Sequence, residues 1–317
     1  MEKTVIWHIG AHKCATTSFQ TALSEECKER EDVLLIAPKS PDPVVDTLRR
    51  YIWEAVDHFD TSSLIKLITE TRKQRIIISD ENLLGKMPGL SRGFYPRSNL
   101  LRNIIDETGR SFETTVLVQS RETSSYLKSC HKFRLSTGLG MDYAEFLQFL
   151  DLSSFRWSNL GKTMFDDAPY RTLVLPIEEV SNPSSVYSIF DAILPGSDRK
   201  SLPQENISIP REIETLALLC NRSGHKLSRP DILRVTKRWQ SGDVSLQQAL
   251  EETGNHIPVE FEKIALSTPL EDSDRSLDSM ISNYFKHDYR EFLDTYAQVQ
   301  TTTRSGGNER FKPMLSI

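Results

Sequence analysis

The chain has 317 residues, 38% of them hydrophobic and 26% charged, with a formal net charge of −5. That size suits one α/β domain with insertions, and no apolar run approaches the roughly 20 residues of a membrane span. The acidic balance argues against general nucleic-acid binding, so no nucleic-acid partner is expected.

The chain opens on Thr4-Val5-Ile6-Trp7-His8-Ile9, a short apolar run rich in β-branched residues that predicts a buried strand. It is too short for a secretory leader. A turn follows over residues 10–15, and Thr16, Thr17 and Ser18 are helix-start residues before a helical run. Strand, tight loop and helix together aim several backbone N–H groups at one anion, and Lys13 adds a cation, so the loop is read as phosphate-binding. It departs from the nucleoside triphosphate pattern G-x-x-x-x-G-K-[ST]. Laid on Gly10, that pattern puts Ala15 at the second glycine, Thr16 at the lysine and Thr17 at the hydroxyl. A lysine moved back to Lys13 cannot reach β and γ phosphates as one at the helix start does. Cys14, beside Lys13 at a helix start, is in a setting that lowers a thiol pKa; the plainer reading is a small side chain filling the loop. The four cysteines (Cys14, Cys27, Cys130 and Cys220) form no C-x-x-C pair, and a reducing cytoplasm is the expected compartment.

Residues 33–36 read as a second strand, followed by a proline-marked loop. Helices are expected over 44–59, with Val45, Leu48, Ile52 and Val56 on one face, and over 62–71. Residues 75–80 form the third strand, continuously apolar at Ile76-Ile77-Ile78 as a sheet covered on both faces requires. It ends in Ser79-Asp80-Glu81-Asn82, a polar group where open α/β sheets collect ligands. Asp80 and Asn82 are read as capping a turn. A Gly/Pro-rich loop over 85–96, a helix over 98–108 and a strand over 112–119 follow. Arg121 then sits where strand meets helix, with Ser129 roughly two turns on. An arginine fork and a serine so placed can converge on one phosphate.

Helices over 141–150 and 155–163, a fifth strand over 171–176 and a helix over 183–194 complete an α/β pattern: a parallel, doubly wound sheet of about five strands flanked by helices. Trp157 is expected in the core. Residues 1–195 are taken as this core, residues 196–300 as a helical C-terminal region of the same domain with five further helices, and residues 301–317 as a flexible tail.

The segment from His8 to Gln20 resembles the 5′-phosphosulfate loop of the sulfotransferases that use 3′-phosphoadenosine 5′-phosphosulfate (PAPS), with Cys14 and Ala15 in place of the usual hydroxyl residue and glycine. Either the loop keeps φ negative at Ala15, or the site is weakened. The resemblance implies a P-loop-like, nucleotide-binding sulfotransferase fold with PAPS as sulfuryl donor and no metal. It implies cofactor binding by His12, Lys13, Cys14, Ala15, Thr16, Thr17 and Ser18, and a 3′-phosphate held by Arg121 and Ser129. Lys13 is expected to offset charge on the leaving phosphate. Glu81 is expected as the base, with Asp80 next and His12 or His131 behind. The acceptor would be a hydroxyl or amine on a small molecule, a carbohydrate or a lipid. Arg304, Arg310 and Lys312 are weak candidates for covering the 3′-phosphate. The competing readings are a P-loop kinase with a degenerate loop, for which Asp80 would hold Mg²⁺, and a nucleotide-binding relative without turnover.

Overall fold

The N-terminal apolar run forms β1 (Thr4–His8), and the chain then alternates between helix and strand: α1 (Thr16–Cys27), β2 (Val33–Ile36), α2 (Pro43–His58), α3 (Ser62–Glu70), β3 (Arg75–Ser79), α4 (Ser98–Ser111), β4 (Glu113–Ser120), α5 (Thr123–Leu135), α6 (Tyr143–Phe149), α7 (Trp157–Phe165), β5 (Arg171–Pro176) and α8 (Pro183–Ile193). Five helices follow: α9 (Arg211–Ser223), α10 (Arg229–Gln240), α11 (Leu246–Glu251), α12 (Val259–Ser267) and α13 (Asp272–Tyr296). The computed structural model describes residues 3–38, 43–58, 60–203, 208–225, 227–254, 257–267 and 272–297. Arg304, Arg310 and Lys312, and the tail over 301–317, lie outside the described residues.

All five strands are parallel, in the order β2-β3-β1-β4-β5. This is the doubly wound α/β sheet that the alternation of elements implied. Side chains of successive strand residues point to opposite faces, which sorts the core into two layers. Ile6, Ile77, Leu117 and Leu173 face α1 and α8 through Phe19, Leu23, Ile189 and Phe190. Val5, Trp7, Ile76, Ile78, Val116 and Val118 face the larger helical layer on the other side, in which Trp157 is fully buried.

The helical C-terminal region divides. Helices α9 to α12 close around a small core of their own, including Leu216, Cys220, Val235 and Leu250. Helix α13 instead returns to the main core with Ile281, Phe285, Tyr289 and Phe292. Its Asp288 is buried and caps α7 from outside, accepting from the backbone N–H of Trp157 at 2.8 Å and of Ser158 at 3.3 Å, and from the Ser158 hydroxyl. A helix start that lacks a side-chain cap of its own leaves such donors unmet.

β1 lies between β3 and β4, with His8 opposite Ser79 and Leu117. The C-terminal ends of these three neighbours therefore bring together the loop after β1, the polar group after β3 and Arg121 after β4. Among the described residues no helix is long and apolar enough to cross a membrane.

Replacing Asp288 by alanine removes the acceptor for three donors at the start of α7. The expected loss is about 2 kcal/mol of unfolding free energy, read from the urea midpoint; Asp288→Asn should recover part of it.

Candidate functional site

The loop between β1 and α1 is built by close approach. Gly10 is the one residue type that fits: a Cβ there would stand 2.5 Å from Thr16 Cγ2 and 2.9 Å from His8 Nε2. Ala11 N–H donates to the Gln119 carbonyl at 3.2 Å and Cys14 N–H to Ala11 at 3.3 Å, so the first half of the loop is pinned to β4. Lys13 and Ala15 then both take positive φ, 62° and 65°, with Cys14 between them outside that region. This alternation turns successive N–H groups into one concavity, the arrangement that binds anions. Ala15 is the N-cap of α1, and no side chain caps the helix. The first amides of a helix have no partners within it, and no side-chain cap meets those at the start of α1, among them Thr16, Thr17 and Ser18.

The structure overturns the expectation that φ could stay negative at Ala15: the backbone is left-handed with ψ 20°. A non-glycine residue pays about 1–2 kcal/mol for that conformation. Cys14 is fully buried, as a small side chain filling the loop would be, and burial pushes its thiol pKa well up, against the lowering that its place beside Lys13 suggested.

Three cations gather at this loop. Arg121 donates through Nε to the Ser125 hydroxyl at 2.7 Å and through a terminal nitrogen to the Lys13 carbonyl at 3.1 Å, joining β4, α5 and the loop. The serine that Arg121 grips is Ser125; Ser129 lies one turn beyond, about 6 Å along the axis of α5. The Lys13 ammonium sits 4.9 Å from the centre of the Phe133 ring, and Arg229, from the first turn of α10, sits 4.4 Å from the same centre. Arg229 also donates to the Ser136 hydroxyl at 2.6 Å. Burial first, then the Arg229 charge, hold the Lys13 pKa below its ordinary value; Glu81 opposes this and Arg121 adds to it. Sequence reasoning missed Arg229 because its local pattern, Ser228-Arg229-Pro230-Asp231, signals only a capped helix start.

The polar group after β3 is divided by its hydrogen bonds. Asp80 is buried and caps the turn Glu81–Leu84, as its sequence reading held. One carboxylate oxygen accepts from the Asn82 backbone at 3.0 Å and the Asn82 amide at 2.9 Å; the other accepts from Arg49 at 3.2 Å and Trp53 at 3.3 Å. Four donors occupy the roughly four lone-pair sites of a carboxylate, which removes Asp80 as a proton acceptor. The Glu81 carboxylate accepts the Thr16 hydroxyl, so it touches the start of α1, where the loop ends. Thr17 is exposed, and Ser18 is buried. His12 is 6% exposed; its Nε2 lies 3.1 Å from the Asn82 side-chain oxygen and its Nδ1 has no partner. His131 Nε2 bonds the Met141 carbonyl at 2.9 Å and packs between Tyr143 and Phe146, which places it in the core. The loop over residues 85–97 is anchored: Tyr95, at φ 46°, buries its ring and bonds the Tyr126 hydroxyl at 2.8 Å. Among the described residues no three His, Cys, Asp or Glu side chains gather as a metal site would.

Beneath the loop, His8 spans the sheet, with Nδ1 2.7 Å from the Ser79 hydroxyl and Nε2 2.9 Å from Gln119 Oε1. Burial lowers its pKa to about 4 against the ordinary 6.5, with the Gln119 bond opposing. The folded state therefore holds it neutral while the unfolded chain takes up a proton as pH falls. Its contribution is complete above about pH 6.5 and is lost between there and about pH 4, amounting to roughly 3 kcal/mol. Urea titrations across that range should show the decline, and His8→Gln should flatten it. Ala15→Gly should leave stability unchanged or raise it by up to about 1 kcal/mol, because relief of the left-handed strain is offset by a freer unfolded chain; a loss of stability would contradict the strain.

No family model, no curated protein and no solved structure matches the chain.

Proposed function

We propose that this chain is a sulfotransferase that moves a sulfuryl group from PAPS to a hydroxyl or amine acceptor. The observation that carries the reading is the concave amide loop after β1 with Lys13 and Arg121 beside it. One anion fits the amides of Thr16, Thr17 and Ser18, and the cations Arg121 and Arg229 stand nearby for a second. That charge pattern suits a nucleotide phosphorylated at both 5′ and 3′ positions better than a triphosphate.

Transfer of SO3 is treated by analogy with loose phosphoryl transfer, where positioning and charge stabilisation supply most of the acceleration. The amide concavity grips the 5′-phosphate. Lys13 meets the charge that develops on the bridging oxygen as the S–O bond breaks. Its present seat on Phe133 is a weak cation–π contact, readily exchanged for a phosphate oxygen. The acceptor's proton passes to a base beside the loop, for which the sequence offers Glu81 first and His12 behind it. The acceptor is a small molecule, a carbohydrate or a lipid, and the compartment is the cytoplasm.

A kinase reading is disfavoured by Thr16 at the lysine position and by Asp80, whose engagement with Arg49, Trp53 and Asn82 leaves no lone pair for Mg²⁺. A nucleotide-binding relative without turnover is the second reading, and the strained cap at Ala15 favours it.

Calorimetry and turnover of PAPS together separate the three. Adenosine 3′,5′-bisphosphate should bind, and ATP with Mg²⁺ should not compete. Arg121→Ala should weaken that binding about 10- to 100-fold, the worth of a charge-assisted hydrogen bond. Lys13→Ala should fold normally by circular dichroism yet lose about 10²–10³-fold in turnover of PAPS. Preference for ATP, or wild-type turnover in the lysine variant, would overturn the assignment.

A further inference from the structure

The side-chain chain behind the phosphate loop runs Arg49 and Trp53 to Asp80, Asp80 to Asn82, and Asn82 to His12. Its chemistry settles hydrogen positions. The Asn82 amide nitrogen donates to Asp80 at 2.9 Å, so the Asn82 oxygen is the atom turned to His12. An oxygen there can only accept, so His12 carries its proton on Nε2. The remaining nitrogen, Nδ1, is then a bare lone pair. It is buried, and no hydrogen-bond donor reaches it among the described residues. Unmet buried polar atoms are rare and costly, and a ligand is one explanation for such an atom. The ring is held on a second side as well: it lies parallel to Tyr95, 9° between planes and 6.4 Å between centres, and Tyr95 is locked by the Tyr126 hydroxyl.

A base held by a partner that is itself held is the arrangement that fixes tautomer and direction in nucleophile activation. Glu81 lacks that freedom at rest, because its carboxylate holds Thr16.

We infer that His12, through Nδ1, is the group that takes the acceptor's proton, and that Asn82 and Asp80 are positioning residues for it. The inference rests on the sulfuryl-transfer reading. In the step, the acceptor O–H bond breaks and its proton passes to Nδ1 while the acceptor oxygen bonds to sulfur. The bond from sulfur to the bridging phosphate oxygen breaks, and its electron pair stays on that oxygen beside Lys13. The products are a sulfate ester and adenosine 3′,5′-bisphosphate. The imidazolium keeps its Nε2–H on Asn82 and later returns the Nδ1 proton to water. Glu81 serves the phosphate grip through Thr16.

Two measurements test this on the full-length protein. The first is ¹⁵N NMR of the histidine-labelled wild type, which needs no donor. It should show His12 protonated on Nε2 with Nδ1 bare, and Asn82→Ala should erase that preference. A proton on Nδ1 with Nε2 bare overturns the proposal whatever the protein binds. The second is release of adenosine 3′,5′-bisphosphate from PAPS with enzyme in excess, with p-nitrophenol and then water as acceptor. His12→Gln should lose about 10²–10⁴-fold in release, the range for general-base catalysis, well beyond any loss in bisphosphate binding. Glu81→Gln, which disturbs the phosphate grip through Thr16, should weaken bisphosphate binding and lose less in release than His12→Gln does. The reverse ranking, with Glu81→Gln inactive and His12→Gln active, overturns His12 while leaving sulfuryl transfer standing. Failure of the wild type to bind PAPS overturns that reading and this one together.

Discussion

Everything at this site follows from the burial of one strand. β1 is paired on both edges and covered on both faces, so the chain can leave it only at its end, and it must become a helix by Thr16. The turn is tight enough that Gly10 must lie against His8 and Thr16. It spends two left-handed residues, Lys13 and Ala15, to reach the helix. The result is a set of amides with no partner in the protein's own hydrogen-bond ladder. Neutral His8 beneath them ties β3 to β4, so the floor of the loop is held from both sides.

Charge is arranged over this floor against the balance of the whole molecule. A chain of net charge −5 brings Lys13, Arg121 and Arg229 to one neighbourhood, and they come from three different parts of the fold. Lys13 and Arg229 share the Phe133 ring, an arrangement in which like charges disfavour each other and burial disfavours both. Such a cluster gains most from an incoming anion, since a multiply charged ligand removes the repulsion and the desolvation cost together. Arg229 also explains why helices α9 to α12, with a separate small core, are more than an appendage: they deliver a cation to the loop.

The sheet and most helices were legible in the sequence because their signals are local. Ile76-Ile77-Ile78 and Val116-Leu117-Val118 are apolar runs that only a sheet covered on two faces accommodates, and their order with the helices between them leaves little choice of topology. The loop was legible for the same reason, from Gly10 to Ser18. What was not legible depends on side-chain direction or on distance in sequence. Ser125, not Ser129, meets Arg121, because the arginine side chain folds back onto the first turn of α5. Arg229 lies more than two hundred residues from Lys13 and carries no motif. The burial that silences Cys14 comes from elements that no local pattern names. Asp80 as a cap was readable from its position before a turn; the Arg49 and Trp53 contacts that complete its shell were not.

The most direct test of the account is a crystal structure of the protein with adenosine 3′,5′-bisphosphate. The account predicts the 5′-phosphate within about 3 Å of the Thr16, Thr17 and Ser18 amides, with the Lys13 ammonium drawn off Phe133 onto a phosphate oxygen. A nucleotide bound elsewhere, or a loop left empty at saturating ligand with Lys13 still on the ring, would contradict it.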